Sequence, residues 1–151
     1  MPLERGLRAA IIAGLYVALT YFFQPISFGM TQFRVSEALT LLPMLWPEAV
    51  AGLFLGVLLA NLASPFGLWD IVLGSLTTLL AALVTRRFAF RWPGYLSPVV
   101  FNSLIVGGYL SYLTHTPYLL WVGGIALGEG GVVLLLGYPL IQLLRRRFPG
   151  I

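Results

Sequence analysis

Three carboxylates and one arginine occupy places where an apolar chain has least use for charge. Arg34 and Glu37 stand three residues apart in QFRVSEALTLL, Asp70 follows SPFGLW, and Glu129 is set in GGIALGEGG. Ionisable groups inside apolar helices are expensive and usually functional, so each must pair, take up a proton or meet a ligand. The glycines around Glu129 expose backbone and let a neighbouring helix or a ligand approach closely. Gln32, Asn61 and Asn102 add amides that both donate and accept. Structural roles fit the same positions: an i, i+3 ion pair between Arg34 and Glu37 bracing a helix, Asp70 as an acidic first-turn residue, and Asn61 and Asn102 as interhelical hydrogen-bond partners.

The elements that must carry these groups are set by composition. Hydrophobic residues make up 59% of the 151-residue chain and charged residues 9%, and apolar runs recur along its length. That is the profile of an integral membrane protein, with one membrane domain over residues 1–151. All nine basic residues are arginines, and eight fall in clusters beside apolar runs, which reads as membrane topology rather than a nucleic-acid face. There is no cysteine, and His115 is the single histidine, so thiolate and histidine-rich metal centres are not expected and no cofactor is assigned. The chain has no GxxxxGK[ST] loop, no HExxH and no nucleophile elbow, which argues against an enzyme or a self-contained ATPase. Its first apolar stretch has the basic flank of a signal peptide but runs into TYFFQP without a small-residue cleavage pattern, and is expected to be a retained helix.

Apolar periodicity predicts six transmembrane helices, over about 7–23, 35–46, 48–62, 68–85, 98–113 and 118–144. The second is short: twelve residues rise ~18 Å against a hydrocarbon core of ~30 Å, and Pro43 and Pro47 separate it from the third. Charge decides its direction. With two crossings between residues 35 and 62, the clusters Arg5/Arg8, Arg86/Arg87/Arg91 and Arg145 to Arg147 all face the cytoplasm, as do both termini, and Arg34 alone is outside. Gln24, Gln32, Arg34, Glu37, Asn61, Asp70 and His115 then gather near the outer helix ends, a set able to line one outward cavity. Asn102 and Glu129 lie deeper, roughly 16 to 17 Å from the outer ends of their helices. Phe28, Phe33, Trp69, Tyr118 and Trp121 are expected to form an interfacial belt. Small residues line helix one as Ala9/Ala13 and Ala10/Gly14/Ala18, and helix three as Gly52/Gly56/Ala60, permitting close helix contacts within the bundle or with a partner.

The blocks QFRVSEALTLLPML (32–45), NLASPFGLWDIVLGSLTTLLAAL (61–83), PVVFNSLIVGG (98–108) and GEGGVVLLLGYPL (128–140) together resemble the QueT family. These are substrate-binding S components of energy-coupling factor (ECF) importers for queuosine precursors. The resemblance implies an all-α, six-helix S-component bundle in a prokaryotic cell membrane, with a ligand site toward the outside. It also implies a coupling transmembrane protein and two ATPase subunits as partners, with Ala9 and Ala13 matching the spacing of the docking motif on helix one. For a 7-deazaguanine ligand, one carboxylate among Glu37, Asp70 and Glu129 is expected to accept from the ring N–H and exocyclic amine. A donor among Gln32, Arg34, Asn61 and Asn102 would serve the carbonyl, and an aromatic would stack on the ring. A small proton-coupled transporter, with Glu129 as proton relay, is the competing expectation.

Overall fold

A computed structural model describes residues 2–148, and among them every regular element is helical. The N-terminal helix α1 (Pro2–Phe22) is followed by the short α2 (Gln24–Ser27), a 3₁₀ helix (Val35–Met44) and α3 (Ala49–Ala60), which tightens into a 3₁₀ turn (Asn61–Ala63). A π-helical turn (Asp70–Gly74) leads into α4 (Ser75–Arg87). Two long helices complete the chain. In one, α5 (Trp92–Phe101) and α6 (Gly107–Thr114) join through a π turn (Asn102–Val106). In the other, α7 (Tyr118–Val132) and α8 (Tyr138–Arg147) join through a second such turn (Val133–Gly137). These composite helices, of 23 and 30 residues, are long and apolar enough to cross a membrane, and shorter apolar helices accompany them.

The expected short second helix is present but wound differently. Val35–Met44 forms a 3₁₀ helix of 10 residues, where runs beyond three or four residues are uncommon. Pro43 lies inside it and lacks the N–H that an α-helical ladder would need. Ser36 through Met44 are all buried, so the segment forms a central pillar, with Leu41 and Leu42 in the main core beside Leu53, Val57, Val133 and Ile141. Around it, large apolar side chains such as Leu15, Leu55, Leu80 and Leu135 face outward while Glu37, Asp70 and Glu129 face in. An exterior of leucine around an interior holding carboxylates is the arrangement that a lipid solvent selects.

Close backbone approach fixes the α1–α3 seam. A Cβ on Gly52 would sit 2.6 Å from the Ala9 carbonyl oxygen, and one on Gly56 would sit 3.1 Å from that of Ala13. Ala9 and Ala13 therefore face α3, whereas Ala10, Gly14 and Ala18 on another side of α1 are exposed. At the arginine-rich end, Arg8 forms a 2.7 Å ion pair with Glu48 and lies over the Trp46 ring. The fifth helix begins at Trp92 rather than near residue 98 because Pro93 occupies its first turn, where no amide hydrogen is required.

Candidate functional site

All seven side chains expected to bind a ligand are buried: Gln32, Arg34, Glu37, Asn61, Asp70, Asn102 and Glu129. Six of them fall into two polar clusters, and Gln32 lies in the loop that packs on α7. In the first, the π turn that opens α4 begins at Asp70, whose carboxylate accepts from the hydroxyls of Tyr109 and Ser64. Arg34 Nη2 lies 3.8 Å from the same carboxylate, and Asn61 Nδ2 donates to the Asp70 carbonyl at 2.8 Å. Gly74 makes room for this cluster, since a Cβ there would come within 3.0 Å of Asn61 Nδ2 and 3.2 Å of the Tyr109 hydroxyl.

The second cluster is built on the pillar and α7. Tyr16, from α1, donates its hydroxyl to Glu37 Oε1. Asn102 Nδ2 donates to Glu129 Oε1 at 2.7 Å, and the Glu37 and Glu129 carboxyls are close enough to interact electrostatically. Asn102 opens one π turn, and the Glu129 carbonyl accepts from Val133 at the head of another. Such turns put an extra residue into a helix and re-aim its side chains, and they are frequent at functional sites. Arg34 joins the two clusters in space: it is three residues from Glu37 in sequence, yet its ion-pair partner is Asp70, and no Arg34–Glu37 ion pair forms among the described residues. The i, i+3 brace suggested by spacing is therefore replaced by a bond between the pillar's N-terminus and α4. The extended backbone at Arg34 explains this, because the i, i+3 geometry requires helix on both sides of the pair.

The loop between α2 and the pillar closes over α7. The carbonyl of Met30 lies against Gly124 and that of Thr31 against Gly128, positions where any side chain would collide with backbone. Gln32, at φ 41°, turns the chain inward there. Arg34 Nε donates to the Ser27 carbonyl at 3.0 Å, and its guanidinium lies 4.9 Å from the centre of the Phe28 ring. Phe28 also lines a groove of about 420 Å³ with Gln24, Pro25, Ala63 and Pro65. Phe28 thus links Arg34 to the surface groove.

Several polar atoms in this region are buried without a hydrogen-bond partner. Gln32 Nε2 and Arg34 Nη2 are donors, while Glu37 Oε2 and Asn61 Oδ1 are acceptors. Buried polar groups are satisfied as a rule, so these four atoms hold unused capacity both to donate and to accept hydrogen bonds.

Other expectations fare differently. His115 is exposed and ends α6 in a left-handed conformation, apart from the site, and Gln24 stays on the surface groove. Trp121 is not part of an interfacial belt. It is 4% exposed, packs edge-on against Phe66 and donates its indole N–H to Thr114 Oγ1 at 3.0 Å. Trp69 stacks on Tyr109, the tyrosine that holds Asp70. Tyr16 and Tyr109 escaped the sequence reading because a tyrosine in an apolar helix carries no charge to mark it. The available signal for Tyr16 was its register with Ile12, Ala13 and Thr20 on the buried stripe of α1.

The family model described as QueT transporter matches residues 7–146. The queuosine precursor transporter QueT of Lactococcus lactis subsp. cremoris (strain MG1363) is 33% identical over 136 residues, covering 80% of each chain. No solved structure matches.

Proposed function

The chain belongs to the QueT transporter family, and on that premise we propose that it is the ligand-binding S component of an ECF-type importer for a queuosine precursor. Six membrane crossings, with both termini in the cytoplasm, put the buried acids nearer the outside and the arginine clusters inside. A coupling transmembrane protein and two ATPase subunits supply the energy. The observation that supports this reading is the group of buried atoms without a hydrogen bond, Gln32 Nε2, Arg34 Nη2, Glu37 Oε2 and Asn61 Oδ1. A 7-deazaguanine offers the complement: a ring N–H and an exocyclic amine for carboxylate oxygens, and a carbonyl for a guanidinium or amide. Glu37 and Glu129 are the acids assigned to the N–H edge, because Asp70 already accepts from Tyr109 and Ser64. Phe28, beside Arg34 and on the outer groove, is the aromatic assigned to stack on the ring.

Docking on the coupling protein was expected at Ala9 and Ala13, but Ala13 is buried against α3. The exposed stripe Ala10, Gly14 and Ala18 is the face of α1 assigned to the partner, since small residues there allow close helix approach.

Isothermal titration of the purified protein with queuine, 7-aminomethyl-7-deazaguanine and 7-cyano-7-deazaguanine tests the proposal, with guanine as control. At least one should bind with a dissociation constant below about 1 μM without any ion gradient or nucleotide. Absence of binding to all three would overturn it. A second reading, proton-coupled transport with Glu129 as relay, draws on the closeness of Glu37 and Glu129. It predicts uptake by the isolated protein in vesicles that a protonophore abolishes, whereas an S component alone would give no protonophore-sensitive uptake.

A further inference from the structure

At the opposite end of the two long helices lies a groove of about 540 Å³ that the ligand site does not use. It lies where α5 begins and α8 ends, and Arg91, Arg145, Tyr95, Tyr138 and Gln142 are among its lining residues. Its chemistry has two parts. Arg91 and Arg145 provide guanidinium groups, Gln142 an amide and the tyrosines hydroxyls, with no carboxylate in the lining. Phe90, Trp92 and the tyrosine rings provide an aromatic wall, in which Tyr95 and Tyr138 lie 5.4 Å apart and Arg145 stacks 4.5 Å over Phe90. Phe90 adopts φ 61°, a left-handed turn immediately before the extended Arg91 and the helix that starts at Trp92.

We infer that this groove binds the headgroup of an anionic phospholipid from the cytoplasmic leaflet. Guanidinium groups match phosphate oxygens in geometry as well as charge, and arginines flanking an apolar helix attract anionic lipid. The groove sits at the ends of the two membrane-length helices, where hydrocarbon gives way to headgroups and aromatic side chains are favoured. Free phosphate would satisfy the arginines but leave the aromatic wall without a partner. A lipid covers both, its glycerol and first methylenes lying on the rings while its chains run along outward residues such as Leu96 and Leu143.

The test is native mass spectrometry of the full-length protein released from mixed micelles of phosphatidylglycerol and phosphatidylcholine in equal amounts. The wild-type protein should retain phosphatidylglycerol over phosphatidylcholine by at least about fivefold. Arg91→Gln with Arg145→Gln should reduce that preference to below about twofold. Arg146→Gln with Arg147→Gln removes the same charge from α8 outside the groove lining and should leave the preference intact. Equal retention of the two lipids by the wild type would overturn the inference, and that comparison needs no variant to fold. So would equal loss in both double variants, which would mean general charge attraction, or displacement of phosphatidylglycerol by inorganic phosphate, which would mean a free-anion site.

Discussion

At the scale of single residues, the proposed binding site rests on acids whose partners differ. Asp70 is tied to Tyr109, Ser64 and Arg34, whereas Glu37 keeps one oxygen unpartnered and faces Glu129. Glu129→Gln should therefore weaken deazaguanine binding by at least about tenfold, because a neutral amide replaces a charge-assisted acceptor. The Asn102 bond can persist, so the protein should remain folded. Unchanged affinity by titration would leave Glu129 as a tie between α7 and the helix bearing Asn102. Arg34 gives a second prediction. A double-mutant cycle in detergent, with stability as readout, should show stronger coupling between Arg34 and Asp70 than between Arg34 and Glu37, since the guanidinium lies 3.8 Å from Asp70. Sequence spacing alone points to Glu37. The charged residues themselves were legible because burying charge demands a reason, but the partner of Arg34 depended on an extended backbone at a helix end.

At the scale of elements, the site depends on a loop pressed onto a helix and on helices that change pitch. Gly128 allows the Thr31 carbonyl to lie against α7, a contact that a methyl group would prevent. Gly128→Ala should destabilise the protein by about 1–3 kcal/mol and weaken ligand binding, since the Thr31–Arg34 backbone must move away from the site. Gly123→Ala in the same helix meets open space and should be close to neutral. Thermal unfolding in detergent, paired with titration, checks both substitutions, and equal effects would refute the loop contact as the cause. The glycines of GGIALGEGG were visible as places of close approach, but not what approaches. The π turns at Asp70, Asn102 and Val133 left no distinct pattern because the extra residue shifts the apolar register by one position, which a spacing argument absorbs as noise.

At the scale of the whole molecule, the proposed importer needs a ligand site and a docking face that can be broken separately. Gly14→Trp adds bulk to the exposed stripe of α1 and should abolish ATP-dependent uptake in vesicles containing the complete assembly, with ligand affinity of the isolated protein changed less than about threefold. Ala13→Trp, on the face packed against Gly56, should impair both affinity and uptake. Normal uptake by the Gly14 variant would place the partner on another surface. The amino-acid sequence by itself determined the membrane class, the approximate helix segments and the identity of the buried polar residues, because apolar runs and isolated charges carry that information locally. Tertiary structure decided which face of α1 is internal, that the second segment is a buried 3₁₀ pillar, and that two tyrosines hold the acids in place. Those outcomes depend on contacts between segments far apart in the chain, where one turn of helix decides whether a side chain meets lipid, a neighbour or a ligand.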